Sequence, residues 1–110
     1  MLFGCEGGKV HILDGPTMGT SYTVKIVGPI DKGKLKLLIE NELVRINSLM
    51  STYDDQSELS RFNRSPISTS VPVSEDVLTV LRMSQKIHDE SNGAFDVTIG
   101  PLVNLWGFGP

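Results

Sequence analysis

The sequence predicts an α+β fold, antiparallel strands combined with two long amphipathic helices, on three observations. Residues 19–27 alternate between apolar or aromatic and polar side chains. Residues 35–50 repeat apolar side chains every three or four positions, and residues 77–87 do so again. A period of two marks a half-buried strand, and a period near 3.6 marks a helix with one buried stripe.

Taken in order, Lys9 to Leu13 alternates loosely and reads as an initial strand, with Asp14-Gly15-Pro16 as a turn signal. From Gly19 to Val27, Thr20, Tyr22, Val24 and Ile26 face one way and Ser21, Thr23 and Lys25 the other, and Gly28-Pro29 ends the strand. Asp31 is placed to cap a helix whose stripe is Leu35, Leu38, Ile39, Leu43, Ile46 and Met50, with Lys34, Lys36, Glu40, Asn41 and Arg45 toward solvent. Ser57 caps a short helix containing Leu59 and Phe62, which Ser65-Pro66 breaks, and Ser70 to Val73 reads as a short strand. Ser74 caps the second long helix. Glu75 and Asp76 sit in its first turn, where the helix dipole favours carboxylates, and Val77, Leu78, Leu81, Ser84 and Ile87 form its inner stripe. Asn92-Gly93 is a left-handed stop, Ala94 to Ile99 is strand-like, and Gly100-Pro101 turns the chain into a last helix, Leu102–Trp106.

At 110 residues the chain fits one domain at most, with an ordinary composition of 39% hydrophobic and 21% charged residues. The net charge of −3 argues against nucleic acid as a partner, because phosphate binding needs a basic face. Residues 50–110 carry four Lys/Arg against eight Asp/Glu, so this half repels a polyanion unless helix N-termini or a metal offset the charge. No apolar run is long enough for a membrane-spanning helix, and the single cysteine, Cys5, allows neither an internal disulfide nor a cysteine-based zinc site. Leu2-Phe3-Gly4-Cys5 reads either as the end of a bacterial lipoprotein signal, whose cysteine is lipidated, or as an incidental thiol near a terminus.

Three stretches can carry chemistry. In Thr17-Met18-Gly19-Thr20 the glycine lets a ligand approach the backbone and the methionine offers a polarisable surface for a ring; the alternative is a β-bulge with a core methionine. In the polar run Ser51 to Asn63, Tyr53 can stack on a flat ligand. Asp54 and Asp55 there read as a solvated turn, and Ser57 as a cap rather than a nucleophile. In Gly93 to Pro110, Asp96 can accept hydrogen bonds from an adenine amino group, a ribose hydroxyl or a flavin edge. The alternative there is a hydrophobic strand and glycine-rich hinge, with Trp106 as core anchor. His11 and His88 have neither metal-ligand nor triad spacing, and the helix dipole accounts for His88 near a helix C-terminus.

Together, Thr17-Met18-Gly19-Thr20, Met50-Ser51-Thr52-Tyr53 with Ser57-Glu58-Leu59-Ser60-Arg61-Phe62-Asn63, and the run from Gly93-Ala94-Phe95-Asp96 through Trp106-Gly107-Phe108-Gly109 resemble the ApbE family. These are the FAD:protein FMN transferases once described as thiamine-biosynthesis lipoproteins. The resemblance covers nearly all the chain from about residue 14. It implies an enzyme that uses magnesium, cleaves FAD at its pyrophosphate and joins FMN through a phosphoester to a Thr or Ser of a target protein, releasing AMP. A flavin-binding module without transferase activity is the alternative.

The resemblance places Met18, Tyr53, Ala94, Phe95 and Asp96 at the FAD, with Trp106 a neighbour, and assigns no catalytic residue and no metal ligand to this chain. It implies that residues 1–13 hold the remainder of an export or lipoprotein leader and a lead-in strand. Residues 14–110 would be the incomplete N-terminal part of the transferase domain, with the magnesium ligands further along. It further implies lipidation at Cys5, anchoring on the periplasmic side of the bacterial inner membrane, and a target that is a subunit of a respiratory or redox membrane complex.

These 110 residues alone are therefore expected not to transfer FMN. Incubation of the purified chain with FAD, magnesium and a target peptide should leave the peptide unlabelled by mass spectrometry; labelled peptide would refute this.

Overall fold

The computed structural model describes residues 8–109, so Cys5 and the run before it lie outside the described residues. The chain divides into two compact units, residues 1–45 and 46–110. The class is α+β as expected: strands β1 (Val10–Thr17) and β2 (Thr20–Val27), then helices α1 (Lys32–Met50), α2 (Glu58–Asn63), α3 (Glu75–Glu90) and α4 (Gly100–Leu105), with a 3₁₀ turn at Val97–Ile99.

The first unit holds an antiparallel hairpin running from Val10↔Val27 to Thr17↔Thr20. Its connection is two residues, Met18 (φ 48°) and Gly19 (φ 73°), both left-handed. Positive φ at both central residues is the primed turn whose twist matches that of the strands. The Thr17-to-Thr20 segment is thus a hairpin tip, not a bulge, and Met18 is exposed.

Asp14-Gly15-Pro16, expected as a turn, lies instead within β1. Hydrogen-bonded pairs alternate along such a hairpin, starting from the pair that flanks the turn. Gly28 N–H donating to the Lys9 carbonyl at 3.2 Å falls in that series. Pro16 opposite Ser21 is therefore a non-bonded pair. Its missing N–H costs the ladder nothing.

Residues directly opposite share a face, which puts Leu13 with Val24 and Gly15 with Tyr22 on the inner side. Leu13 is buried, and the Tyr22 ring lies across Gly15 so closely that a Cβ there would sit 2.8 Å from its Cε1. From that seat the Tyr22 hydroxyl donates to Glu40 Oε1 at 3.3 Å. Glu40, expected on the solvent side of α1, is half-buried because it is this acceptor.

Partial burial, then the charge and hydrogen bond of Glu40, then the charge of Asp14, hold the Tyr22 phenol above its ordinary value of 10.0. The fold favours the neutral phenol, so this contribution is complete below pH 10.0 and lost as pH rises through the higher folded value.

Helix α1 begins as its sequence predicts: Asp31 Oδ1 accepts from Lys34 N–H at 3.0 Å and the Asp31 carbonyl from Leu35 N–H at 3.0 Å. Leu35, Ile39, Leu43, Ile46 and Met50 are half-buried, whereas Leu38 is 55% exposed and falls outside the stripe.

In the second unit, α3 is capped by Ser74, whose hydroxyl faces Val77 N–H at 3.4 Å. Val77 and Ser84 are buried, Leu78 and Leu81 half-buried, and Ile87 lies at the exposed rim. The helix ends with Asn92 (φ 52°) and Gly93 (φ 80°) left-handed, Gly93 N–H reaching back to the His88 carbonyl and Asn92 N–H to that of Asp89. That pair of bonds is the expected left-handed stop.

Two expected strands are absent among the described residues. Residues 70–73 are irregular. Pro72 in their middle has no N–H to give a ladder. Residues 94–99 form a bend and then the 3₁₀ turn, because side chains take the backbone groups a ladder would need. Gly100-Pro101 opens α4 rather than ending a strand, with proline in the first turn, where no intrahelical partner for its N–H is required.

Replacing Gly15 by alanine should displace the Tyr22 ring and break its hydrogen bond to Glu40, costing about 1–3 kcal/mol by overpacking. Chemical denaturation reads the loss. An unchanged midpoint would show that the ring does not depend on this seat.

Candidate functional site

The second unit builds its loops from short polar side chains. Ser51 Oγ accepts from Tyr53 N–H and Asp54 N–H, both at 3.2 Å, and the Ser51 carbonyl accepts from the Ser57 and Ser60 hydroxyls. Ser57 is fully buried and caps α2, its Oγ accepting from Ser60 N–H at 3.0 Å, so the cap reading holds. Asp54 Oδ1 accepts from Gln56 N–H at 2.8 Å, and Asp55 forms an exposed ion pair with Arg64 at 3.3 Å. Glu58 accepts from Ser74 N–H and so ties α2 to the start of α3.

Held by this frame, Tyr53 is 74% exposed, its hydroxyl within a long 3.5 Å of the Phe108 carbonyl. A flat aromatic surface open to solvent is suited to stacking. Trp106, considered above as a core anchor, is 77% exposed.

The segment after α3 is fixed in the same way. Ser91 Oγ donates to the His88 carbonyl at 3.1 Å and accepts from Phe95 N–H at 3.0 Å. On the other side of the same residue, the Phe95 carbonyl accepts from His88 Nδ1 at 2.9 Å. A carbonyl can only accept, so Nδ1 carries the proton. Asp96 then caps the 3₁₀ turn, its Oδ1 accepting from Thr98 N–H at 2.8 Å and from Thr98 Oγ1 at 2.7 Å. The Thr98 backbone hydrogen bond, then its hydroxyl, with a smaller contribution from His88, lower the Asp96 carboxyl below its ordinary value of 3.8 despite partial desolvation. Asp96 is thus a carboxylate at neutral pH, with Oδ2 left to accept from a ligand.

An open cleft of about 310 Å³ runs beside it, lined by Leu81, Ser84, Gln85 and His88 of α3 and by Asp96, Val97 and Thr98. That size lies at the lower end for small-molecule sites.

Tyr53, Ala94, Phe95 and Asp96 all belong to the second unit, where Ala94 and Phe95 are exposed next to the carboxylate; Met18 belongs to the first, at the hairpin tip. From the sequence, His88 is assigned to the helix dipole, and Ser91 is not singled out. The signal for them is a His and a Ser bracketing the last turn before Asn92-Gly93, from where side chains can reach the unladdered backbone beyond. Among the described residues no three His, Cys, Asp or Glu side chains are grouped as a metal centre requires. None of their helices is long and apolar enough to cross a membrane.

The lowered Asp96 value carries a sign. Its stabilising contribution is present above pH 3.8 and lost as pH falls through the lower folded value. NMR titration of the Asp96 carboxyl should give a midpoint below 3.8, with the Thr98 amide shifting in step; a midpoint at or above it would remove the cap from the account.

The FAD:protein FMN transferase of Vibrio cholerae is 47% identical to this chain over 115 residues, covering 100% of the chain and 34% of the relative. That of Haemophilus influenzae is 44% identical, covering 93% and 31%. Among solved structures, the flavin transferase ApbE from Vibrio cholerae superimposes with a TM-score of 0.90 at 44% identity, over 94% of this chain and 34% of that one. The apo flavinyl transferase ApbE of Pseudomonas stutzeri does so with a TM-score of 0.90 at 37% identity, over 98% and 37%. The chain spans about a third of the length of these relatives. The ApbE family model matches residues 18–110, which include the hairpin tip, the Tyr53 loop and the Asp96 segment, and the chain belongs to the ApbE family.

Proposed function

We propose that this chain contributes part of the flavin-nucleotide site of a magnesium-dependent FAD:protein FMN transferase. The observation that carries the reading is the Ala94–Asp96 segment. In a chain of this family, an irregular backbone is locked by side chains so that an aromatic ring and an ionised carboxylate face solvent beside a cleft. Asp96 Oδ2 accepts from a hydroxyl or amino group of the nucleotide, and Phe95 and Tyr53 supply apolar faces for its rings. These roles bind and orient.

The reaction is phosphoryl transfer. A Thr or Ser oxygen of the target attacks the FMN phosphorus of FAD, the pyrophosphate P–O bond breaks, AMP leaves and the hydroxyl proton is released. Positioning dominates such chemistry. Magnesium would neutralise charge on the pyrophosphate, with ligands drawn from elsewhere in the protein. The same reading makes Cys5 the lipid attachment point, the membrane contact a lipid anchor on the periplasmic side of the inner membrane, and the target a redox membrane-complex subunit.

The product of the complete gene, given FAD, magnesium and a target peptide, should yield FMN-labelled peptide and an equal amount of AMP. FAD that is bound but left intact would instead identify a flavin-binding module. A Cys5→Ser form should leave the membrane fraction, and its persistence there would remove the anchor from the proposal.

A further inference from the structure

We propose that His88 and Ser91 are positioning residues for the flavin nucleotide, gripping the Phe95 backbone from both sides and thereby aiming the Phe95 ring and the Asp96 carboxylate. The proposal rests on the flavin reading above and adds to it two residues that act through the backbone of Phe95.

Phe95 lies just beyond α3, in a stretch with neither helical nor ladder bonds of its own. Both of its backbone polar groups are nevertheless taken. Its N–H goes to Ser91 Oγ at 3.0 Å and its carbonyl receives His88 Nδ1 at 2.9 Å. Ser91 is itself pinned, its hydroxyl donating to the His88 carbonyl at 3.1 Å, so the two gripping residues are joined to each other. Gly93 turns the chain beside the imidazole through a left-handed φ of 80°; it is this backbone angle that favours glycine, since a Cβ there would make only ordinary contact with His88 Cε1, at 3.7 Å.

A histidine that served only the helix dipole would need its charge near the last carbonyls and no particular partner. This one instead makes a directed bond to a carbonyl seven residues on, one peptide before Asp96. Asp96 is fixed from its other side by Thr98, so the carboxylate sits between two anchored points. Loss of either grip frees Phe95 and Asp96 to sample other directions, and binding then has to order them.

The test uses the product of the complete gene and three variants. His88→Leu removes the donor, Ser91→Ala removes the acceptor for Phe95 N–H, and His88→Asn keeps an N–H close to the position of Nδ1. FAD affinity is read from quenching of flavin fluorescence and folding from circular dichroism. His88→Leu and Ser91→Ala should weaken FAD binding about tenfold while staying folded, and His88→Asn should recover most of the loss. A structural role alone would not distinguish Asn from Leu in this way.

Folded His88→Leu and Ser91→Ala proteins that bind FAD as tightly as the parent would overturn the proposal, as would His88→Asn binding no better than His88→Leu. Amide exchange in the parent gives an arm independent of variant folding. The Phe95 N–H should be protected, and exchange at the rate of a free peptide would overturn the grip directly. Failure of the flavin reading shows itself separately, as a parent protein that leaves flavin fluorescence unquenched, and the proposal falls with it.

Discussion

The second unit depends on one constraint: backbone groups outside regular elements must find partners, and here short polar side chains provide them. An unsatisfied group costs about 1–3 kcal/mol where it is buried and less where, as at Phe95, water can reach it. Among the described residues this unit has no ladder to absorb such groups. The Ser51 carbonyl takes two hydroxyls, Glu58 takes the N–H of Ser74, and Ser91 with His88 takes both ends of Phe95. The first pair of bonds holds the loop that carries the exposed Tyr53 ring, and the last pair the segment that carries Phe95 and Asp96.

The first unit meets the same constraint by the opposite means. There the ladder satisfies the backbone, and side chains are free to set register and facing. Tyr22 across Gly15 makes a one-residue slip expensive, because a slip would turn the ring to the other face and separate it from Glu40. The primed turn then leaves Met18 at a tip whose two positive φ angles admit little variation.

Periodicity made the long elements legible. β2, α1 and α3 appear where their patterns put them, with the caps Asp31, Ser57 and Ser74 in place. What failed was punctuation. Asp14-Gly15-Pro16 has turn composition, yet a proline at a non-bonded edge position and a glycine beneath a ring are both at home in a strand. The apolar alternation of Ala94 to Ile99 was overruled by Ser91, His88 and Asp96, whose bonds to the backbone leave no sign in a hydrophobic pattern. Of the candidate site, the motif residues were legible from resemblance. The residues that hold them were not, because a bond from His88 to Phe95 exists only once the chain has turned at Gly93.

That bond spans seven residues, and the whole chain of contacts from His88 to Thr98 spans ten positions. Closing so short a loop costs little chain entropy and requires no distant strand to arrive first. The shape of this segment is therefore written locally: as soon as the last turn of α3 exists, the imidazole, the hydroxyl and the carboxylate are already within reach of their partners. A segment held by neighbours in the chain draws its shape from few long-range contacts, so changes elsewhere in the protein disturb it little.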